Sequence, residues 1–228
     1  RFVHRGTARE LTCDAVFQHH GVVPNTNTAR MLDIPHCWNA QQQAFLPEVD
    51  QWGRTQREAI YIAGDGAGIG GATAAALAGR LSALRIACDL GYLERDQLMR
   101  LAVGTQAALA RERAFRPFLD RAYPPAAQAL QPADDVIICR CEEVSAGTVR
   151  ELGRAGCQGP NQLKAFSRAG MGPCQGRYCG LTVTGLLAAV SGRTARDMGY
   201  YRIRPPLKPV TLGELAAMRD SEEPVATE

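Results

Sequence analysis

The spacing of apolar positions changes several times along this chain. Short apolar runs in "LTCDAVF" (11–17) and "AIYIAGDG" (59–66) predict two strands, and the second runs into a glycine-rich loop. "GVVPNTN" (21–27) predicts a turn, and the Ala/Leu-rich "GATAAALAGRLSALRIACDLG" (71–91) predicts a long helix. The first part of the chain is therefore expected to alternate strand and helix.

The remainder divides into three further segments. "LERDQLMRLAVGTQAALARERAFRPFLDRAY" (93–123) keeps helical spacing and stops at Pro124-Pro125, and a polar linker follows it. We therefore predict four parts: an alternating part at 1–92, a helical connector and linker at 93–133, a cysteine-rich domain at 134–192 and a Pro/Arg-rich tail at 193–228. The overall class is α+β.

Composition narrows the function classes. The chain has 228 residues with 26 basic and 23 acidic side chains, a formal charge of +3, and few aromatics, so we expect no nucleic-acid partner. No window approaches the roughly 18 continuous apolar residues of a membrane helix, and the N-terminal segment lacks the pattern of a signal peptide. These features predict a cytoplasmic protein without a transmembrane segment.

The glycine loop allows two interpretations. Gly66, Gly68 and Gly71 fit G-x-G-x-x-G before a helix, and Asp89 follows at about the distance of a ribose-binding acid. However, a Rossmann turn needs a second strand that ends in this acid, and the sequence around Asp89 continues more naturally as helix. The pattern alone is weak evidence for a nucleotide-binding first turn.

A second interpretation gives more weight to the Gly-Asp pair. "REAIYIAGDGAGIGGATAAALAGRLSAL" resembles the motif near the end of two-dinucleotide-domain flavoproteins, a group that includes the pyridine nucleotide-disulfide oxidoreductases. This resemblance implies an FAD site at Gly64, Asp65, Gly70 and Gly71, in which Asp65 binds the ribityl chain and the helix N-terminus faces the cofactor. The alternative role for Asp65 is to cap the helix.

The resemblance also implies that this sequence holds only part of a flavin domain. Such flavoproteins open with their own glycine turn for the ADP half of FAD, and this sequence has no room for it. We therefore expect only the end of a two-dinucleotide-binding-domain fold here. The N-terminal half would be supplied by a second polypeptide or by the preceding part of a longer protein.

The cysteines are unevenly distributed. Three of the eight, Cys13, Cys37 and Cys88, are isolated and are expected to be small buried apolar residues. Cys139 and Cys141 form a C-x-C pair, where residues two apart on a strand face one side, and Cys174 and Cys179 form a C-x4-C pair among glycines. A helix expected near Cys179 would stabilise negative charge there. Two such pairs fit an iron-sulfur cluster, with structural zinc or disulfides as competitors.

A second resemblance favours the cluster. "CRCEEVSAGTVRELGRAGCQGPNQLKAFSRAGMGPCQGRYCG" strongly resembles the 2Fe-2S domain of the bacterioferritin-associated ferredoxin type, a small mainly helical fold. It implies that Cys139, Cys141, Cys174 and Cys179 are the ligands. Cys157, between the two pairs, is expected to pack beside the cluster without binding it.

The two resemblances together suggest a function. A flavin domain followed by this cluster domain is similar to the FAD-containing large subunit of the opine oxidase, hydroxyproline dehydrogenase and hydrogen cyanide synthase group. The similarity implies C–N bond oxidation of an amino-acid-like substrate, with a partner subunit that resembles amino-acid oxidases and carries its own flavin. No catalytic residues are expected in this chain. The alternative is a non-catalytic 2Fe-2S electron-transfer or docking module whose flavin segment is vestigial.

The tail has its own pattern. An extended basic and proline-rich segment is followed by "TLGELAAM", which can form a short amphipathic helix; its key residues are Arg202, Arg204, Pro205, Pro206, Lys208 and Pro209. Such a segment loses little conformational freedom on docking, so it is a candidate contact with a partner subunit. The alternative is a tail that folds back on its own chain.

Overall fold

The computed structural model describes residues 1–17, 19 and 21–218, and within them strands and helices are mixed. The strands are β1 (Phe2–His4), β2 (Thr7–Arg9), β3 (His36–Asn39), β4 (Ala44–Pro47), β5 (Ile137–Cys139) and β6 (Val144–Ser145). The helices are α1 (Asn27–Met31), α2 (Ala72–Asp89), α3 (Arg95–Ala114), α4 (Arg116–Ala122), α5 (Ala127–Leu130), α6 (Ala146–Arg154), α7 (Pro160–Ser167), α8 (Gly180–Ser191), α9 (Ala195–Met198) and α10 (Leu212–Ala216). The strands pair in sequence order as three antiparallel hairpins.

Helices α2 and α3 form the first of two hydrophobic cores. Leu81 on α2 and Leu98, Ala102 and Leu109 on α3 are buried against Trp52. The predicted long helix at 71–91 is confirmed, and the helical pattern after it is divided into α3 and α4 before the two prolines. The capping box at Glu94 fixes where α3 begins.

The two strands predicted in the first part of the chain are not formed. Residues 11–17 form no strand, and Tyr61 makes a single antiparallel bridge to Arg54 before a 3-10 turn at Gly64–Ala67. A strand needs a neighbour along its length to bond its backbone groups; residues 11–17 have none in the described part of the chain, and residues 59–66 bond only the short segment 53–55. The prediction was therefore wrong for the described residues.

The second core joins the hairpin β5–β6 to helices α6, α7 and α8. Helix α8 buries one broad face in this core, with Val183, Leu186 and Leu187 fully enclosed, while Ala189 and Ser191 stay exposed. Tyr201 and Ile203, from the predicted tail, are buried in the same core. The tail thus folds back on its own chain as far as residue 207, and its residues 219–228 lie outside the described part.

The guanidinium group of Arg30 connects the early part of the chain to this core. It stacks on the rings of Phe45 and Tyr200, with its central carbon 4.9 Å and 4.2 Å from the two ring centres. Its Nε donates to Thr26, and burial lowers its pKa to about 10. Because cation–π contacts strengthen when the cation is desolvated, this stack holds α1 and β4 against Tyr200.

His36 lies beside Arg30 and makes stability depend on pH. Burial, and then the positive charge of Arg30, lowers the pKa of His36 to about 4, although a hydrogen bond to the Ile34 carbonyl opposes this. An unfolded histidine titrates near 6.5, so between these values the unfolded chain binds more protons. Stability should therefore fall as pH drops from about 6.5 towards 4. We expect a loss of about 1–2 kcal/mol, after discounting for partial exposure.

Urea unfolding at several pH values would measure this effect. His36→Gln should flatten the pH dependence, whereas His4→Gln, on the exposed hairpin β1–β2, should leave it unchanged. Parallel pH profiles for the wild type and His36→Gln would contradict the assignment.

Candidate functional site

Two loops and one helix end bring the four predicted cysteine ligands together. Cys139 is the last residue of β5, and Cys141 follows in the loop to β6. Cys174 lies in the loop between α7 and α8, and Cys179 caps the N-terminus of α8. The antiparallel pairing of β5 with β6 turns the C-x-C pair towards the C-x4-C loop.

The thiols meet across the two motifs. The Cys141 and Cys174 sulfurs are 3.6 Å apart, well beyond the roughly 2.05 Å of a disulfide bond. Cys139 lies close enough to Cys179 to act as its hydrogen-bond partner. All eight cysteines are free. Each close pair thus combines one residue of the hairpin with one of the loop.

Electrostatics at the site oppose four uncompensated thiolates. Burial, and then the nearby Cys139, raises the pKa of Cys179. A backbone hydrogen bond with Cys174 lowers the pKa of Cys141, but the Cys174 thiol, partial burial and Cys139 outweigh it, so this pKa is raised. Cys141 and Cys179 would therefore be stable as thiolates only with a positive group beside them.

Two donors that the sequence did not reveal point at these sulfurs. The Gly170 N–H donates to the Cys139 sulfur, with nitrogen and sulfur 3.5 Å apart. The Tyr201 hydroxyl is buried without a hydrogen-bond partner of good geometry, yet it lies near enough to the Cys179 sulfur to influence its pKa. An orphaned buried hydroxyl is rare and calls for an explanation. A thiolate or sulfide at this place would provide its acceptor.

The cysteines differ in burial. Cys139 and Cys179 are buried, Cys174 is half-buried and Cys141 is exposed, so the site opens to solvent at Cys141. Cys157 is buried in the same core. The expectation that the isolated cysteines are buried was wrong for Cys13 and Cys37, which are exposed, and Cys88 is half-buried. Cys13 lies in a segment that contacts little of the described chain, and Cys37 faces outward from β3.

Within the described residues, no three His, Cys, Asp or Glu side chains converge as the ligands of one metal ion do. The four sulfurs instead lie as two close pairs.

The glycine loop lies outside the cysteine site. One Asp65 oxygen accepts from the N–H groups of Gly70 and Gly71, at 3.0 Å and 3.3 Å, so the carboxylate closes the loop before α2. Asp65 is exposed and does not cap α2, whose N-cap is Gly71 without a side-chain cap, so the capping alternative is not found. A cavity of about 490 Å³ lies alongside the loop. The residues of the loop from Gly64 to Gly71 that line it are Gly64, Ala67, Gly68, Ile69 and Gly70, and Asp65 is not among them.

Asp89 does not occupy the position of a ribose-binding acid. It is the last residue of α2, where it pairs with Arg85 at 2.7 Å and accepts a hydrogen bond from Tyr61. No second strand in the described ranges carries it, so a Rossmann first turn at this loop is contradicted. The preference for continuing helix is confirmed up to residue 89.

None of the helices in the described ranges combines the length and apolar character that a membrane span requires.

Comparison with known proteins gives relatives for both parts of the chain. Residues 136–219 match the family model described as the sarcosine oxidase A3 domain. An opine oxidase subunit from Rhizobium meliloti (strain 1021) is 46% identical over 215 residues, which are 94% of this chain and 46% of that protein. The hydrogen cyanide synthase subunit HcnB of Pseudomonas protegens is 30% identical over 205 residues, 89% of this chain and 43% of that protein. The chain thus spans about half the length of these curated relatives.

A solved structure supports the fold. The crystal structure of L-proline dehydrogenase from P. horikoshii superposes with a TM-score of 0.68 at 24% identity, covering 86% of this chain and 37% of that one. The predicted mixture of helix and strand is therefore confirmed. Over nine-tenths of its length, the chain is similar in sequence to subunits of opine oxidase, and its cysteine-rich part matches the sarcosine oxidase A3 domain.

Proposed function

We propose that this chain is part of an electron-transferring subunit of a multi-subunit, flavin-dependent dehydrogenase. The enzyme oxidises a C–N bond of an amino-acid-like substrate of the opine, proline or glycine type. Cys139, Cys141, Cys174 and Cys179 hold a 2Fe-2S cluster that exchanges electrons with flavin. Similarity to subunits of opine oxidase and hydrogen cyanide synthase supports this role.

One observation carries the proposal: two cysteine pairs converge where a backbone N–H and an orphaned hydroxyl face the sulfurs. Iron–sulfur clusters are held by cysteine thiolates and tuned by hydrogen bonds to sulfur, so the residues present fit the group. When bound, the cluster would accept or release one electron at a time. The protein's part is to hold the ligands, to donate from Gly170 and Tyr201, and to exclude water from Cys139 and Cys179.

Metal analysis of anaerobically purified protein tests the proposal. We expect about two irons and two sulfides per chain, as a 2Fe-2S centre requires. Replacing any one of the four ligands by serine should remove most of the iron, whereas Cys157→Ser, at a buried cysteine outside both pairs, should keep it. Zinc at this site would contradict the assignment, as would iron loss caused by Cys157→Ser.

A dithiol switch is the competing use of these cysteines, favoured by the 3.6 Å approach of Cys141 and Cys174. It predicts iron-free protein that loses two titratable thiols on mild oxidation. The same preparation distinguishes the two possibilities.

We further propose that the glycine loop contributes to an FAD site shared with a missing N-terminal half or a partner chain. The cavity beside the loop is lined by Gly64 and Gly70, and only one Asp65 oxygen is occupied by the loop. The exposed second oxygen can accept a hydrogen bond from a hydroxyl-rich ligand. These features support the proposed flavin site at Gly64, Asp65, Gly70 and Gly71, of which Gly64 and Gly70 line the cavity itself.

Replacing Asp65 separates the two roles of its carboxylate. Asp65→Asn keeps an oxygen for Gly70 and Gly71 but loses the charge, whereas Asp65→Ala loses both. Loss of a charge-assisted hydrogen bond should cost about 1.5–3 kcal/mol of flavin affinity, or about tenfold or more. In the purified complex, both variants should lower FAD content while iron per chain stays unchanged. Full flavin retention in Asp65→Asn would leave closing the glycine loop as its sole role.

The electron count indicates why partners are needed. A substrate hydride delivers two electrons to a flavin, whereas a 2Fe-2S cluster carries one, so the cluster suits a relay between flavin and a further carrier. We propose that an amino-acid-oxidase-like subunit with its own flavin performs the C–N oxidation, in the cytoplasm, and that this chain is inactive alone. Activity of the isolated chain towards an amino acid with an artificial acceptor would contradict this.

The alternative, a non-catalytic 2Fe-2S module with a vestigial flavin segment, predicts that the purified complex holds only the flavin of the partner subunit. The ratio of released flavin to iron in that complex decides between them. One flavin per cluster beyond the partner's own supports the shared site.

A further inference from the structure

A groove beside Cys141 is lined by positive charge. It has a volume of about 510 Å³ and runs between α7, the loop from Gly170 to Gln175 and the tail. Four basic residues line it, and its described lining includes no acidic residue; the basic residues are Lys164, Arg202, Arg204 and Lys208. Burial, and then the like charges of Arg204 and Arg202, lowers the pKa of Lys164.

Hydrogen bonds from both sides hold the backbone of the groove in place. The Asn161 side chain donates to the Tyr200 carbonyl and accepts from the Arg202 N–H, at 3.0 Å and 2.8 Å, which fixes the tail on α7. Gln175 binds the tail at the Arg204 N–H and the Pro206 carbonyl. The backbone that presents the basic side chains is thus held in place on both sides.

The groove also reaches the open edge of the cysteine site. Gly172 lies in its floor, and a Cβ at Gly172 would be 3.1 Å from the Cys141 sulfur. Cys141 is the exposed member of the four. Met171, about half exposed, adds an apolar surface to the groove. The carboxylate of Glu142, next to Cys141 in the chain, is neutralised by Arg168 at 2.8 Å.

We infer that this groove docks an acidic electron-carrier protein, an inference that rests on the proposed cluster. Positive rims paired with acidic partners speed association and orient short-lived complexes, and such electron-transfer contacts are small. A carboxylate-rich patch would pair with the four cations while its apolar centre meets Met171. One electron then passes from the reduced cluster to the oxidised carrier, which leaves the cluster oxidised and the carrier reduced.

Binding of an acidic flavodoxin, measured by calorimetry on the full chain, tests the groove without relying on electron transfer. We expect binding that weakens as salt rises, because salt screens exposed charges, and no comparable binding of basic cytochrome c. Lys164→Glu/Arg204→Glu should weaken flavodoxin binding at least tenfold. The control Arg111→Glu/Arg154→Glu makes the same charge change on exposed faces of α3 and α6 and should change binding less than twofold.

Stopped-flow oxidation of the reduced chain by the same flavodoxin gives the second readout, in which the groove variant should be at least tenfold slower. Equal effects of the two double variants on binding would overturn the inference. The inference would also fail if Lys164→Glu/Arg204→Glu prevented assembly with the flavin-bearing subunit, because the groove would then be a subunit interface. Absence of iron would refute the proposed function, whereas the binding experiment would still report on the groove.

Discussion

Gly172→Ala is expected to remove most of the iron from this protein while leaving its helices folded. A Cβ at this position would lie 2.2 Å from the Cβ of Cys141, far inside contact distance. The backbone at Gly172 is not in the left-handed region, so alanine meets no conformational penalty and the close approach alone decides the outcome. Cys141 must move by more than a metal site tolerates, which should cost about tenfold or more in cluster affinity.

Iron and sulfide per chain, with circular dichroism to follow the helices, would measure this loss. Gly185→Ala is the matched control, because its added Cβ on α8 meets only ordinary contacts and should keep the iron. Normal iron content in Gly172→Ala would show that Cys141 is not a ligand, or that the loop from Gly170 to Gln175 adapts freely.

Tyr201→Ala is expected to destabilise the cysteine-rich core by about 3–5 kcal/mol, the usual cost of truncating a buried aromatic side chain. The ring is 2% exposed and lies against the backbone of Gly170 and Gly176, where an added Cβ would approach it to 2.5 Å and 2.4 Å. Two glycines thus form the slot that the ring fills. Removing the ring leaves a cavity under the loop between α7 and α8, which carries Cys174.

Chemical denaturation of three variants separates packing from the hydroxyl. Tyr201→Phe removes only the hydroxyl group and keeps the ring, so this variant should retain most of the stability. Tyr178→Ala, at a tyrosine 77% exposed in the same loop region, should change stability by no more than about 0.5 kcal/mol. Similar losses for Tyr178→Ala and Tyr201→Ala would refute the packing role.

The features set by local spacing were predictable. Helix α2 follows from its run of Ala and Leu, and the start of α8 at Cys179 follows from the glycine-rich loop and the apolar stretch after it. The C-x-C and C-x4-C spacings pointed to Cys141 and Cys174, whose sulfurs lie 3.6 Å apart, and the role of the four cysteines as ligands stays a prediction. Each of these depends on residues within a few positions of one another.

The features set by distant partners were not predictable. Residues 11–17 have strand composition, but composition cannot show whether a neighbouring strand exists, and Phe17 is 95% exposed in this chain. Conversely, Tyr201 and Ile203 lie in a polar, proline-rich segment that gave no sign of belonging to a core. The donors at Gly170 and Tyr201 were missed for the same reason, since their target sulfurs are brought near only by the fold.

The stack of Arg30 on Phe45 and Tyr200 limits how this protein could be recombined with its relatives. Arg30 and Phe45 lie in the first fifth of the chain and Tyr200 near its end, yet the three side chains pack against one another. A crossover between Phe45 and Tyr200 would separate the cation from one of its two rings, and the Asn27 side chain from the Cys174 carbonyl that it binds at 3.3 Å. Chimeras of the cysteine-rich part should therefore carry α1 and β4 from the same parent, so these distant segments are expected to change together during evolution.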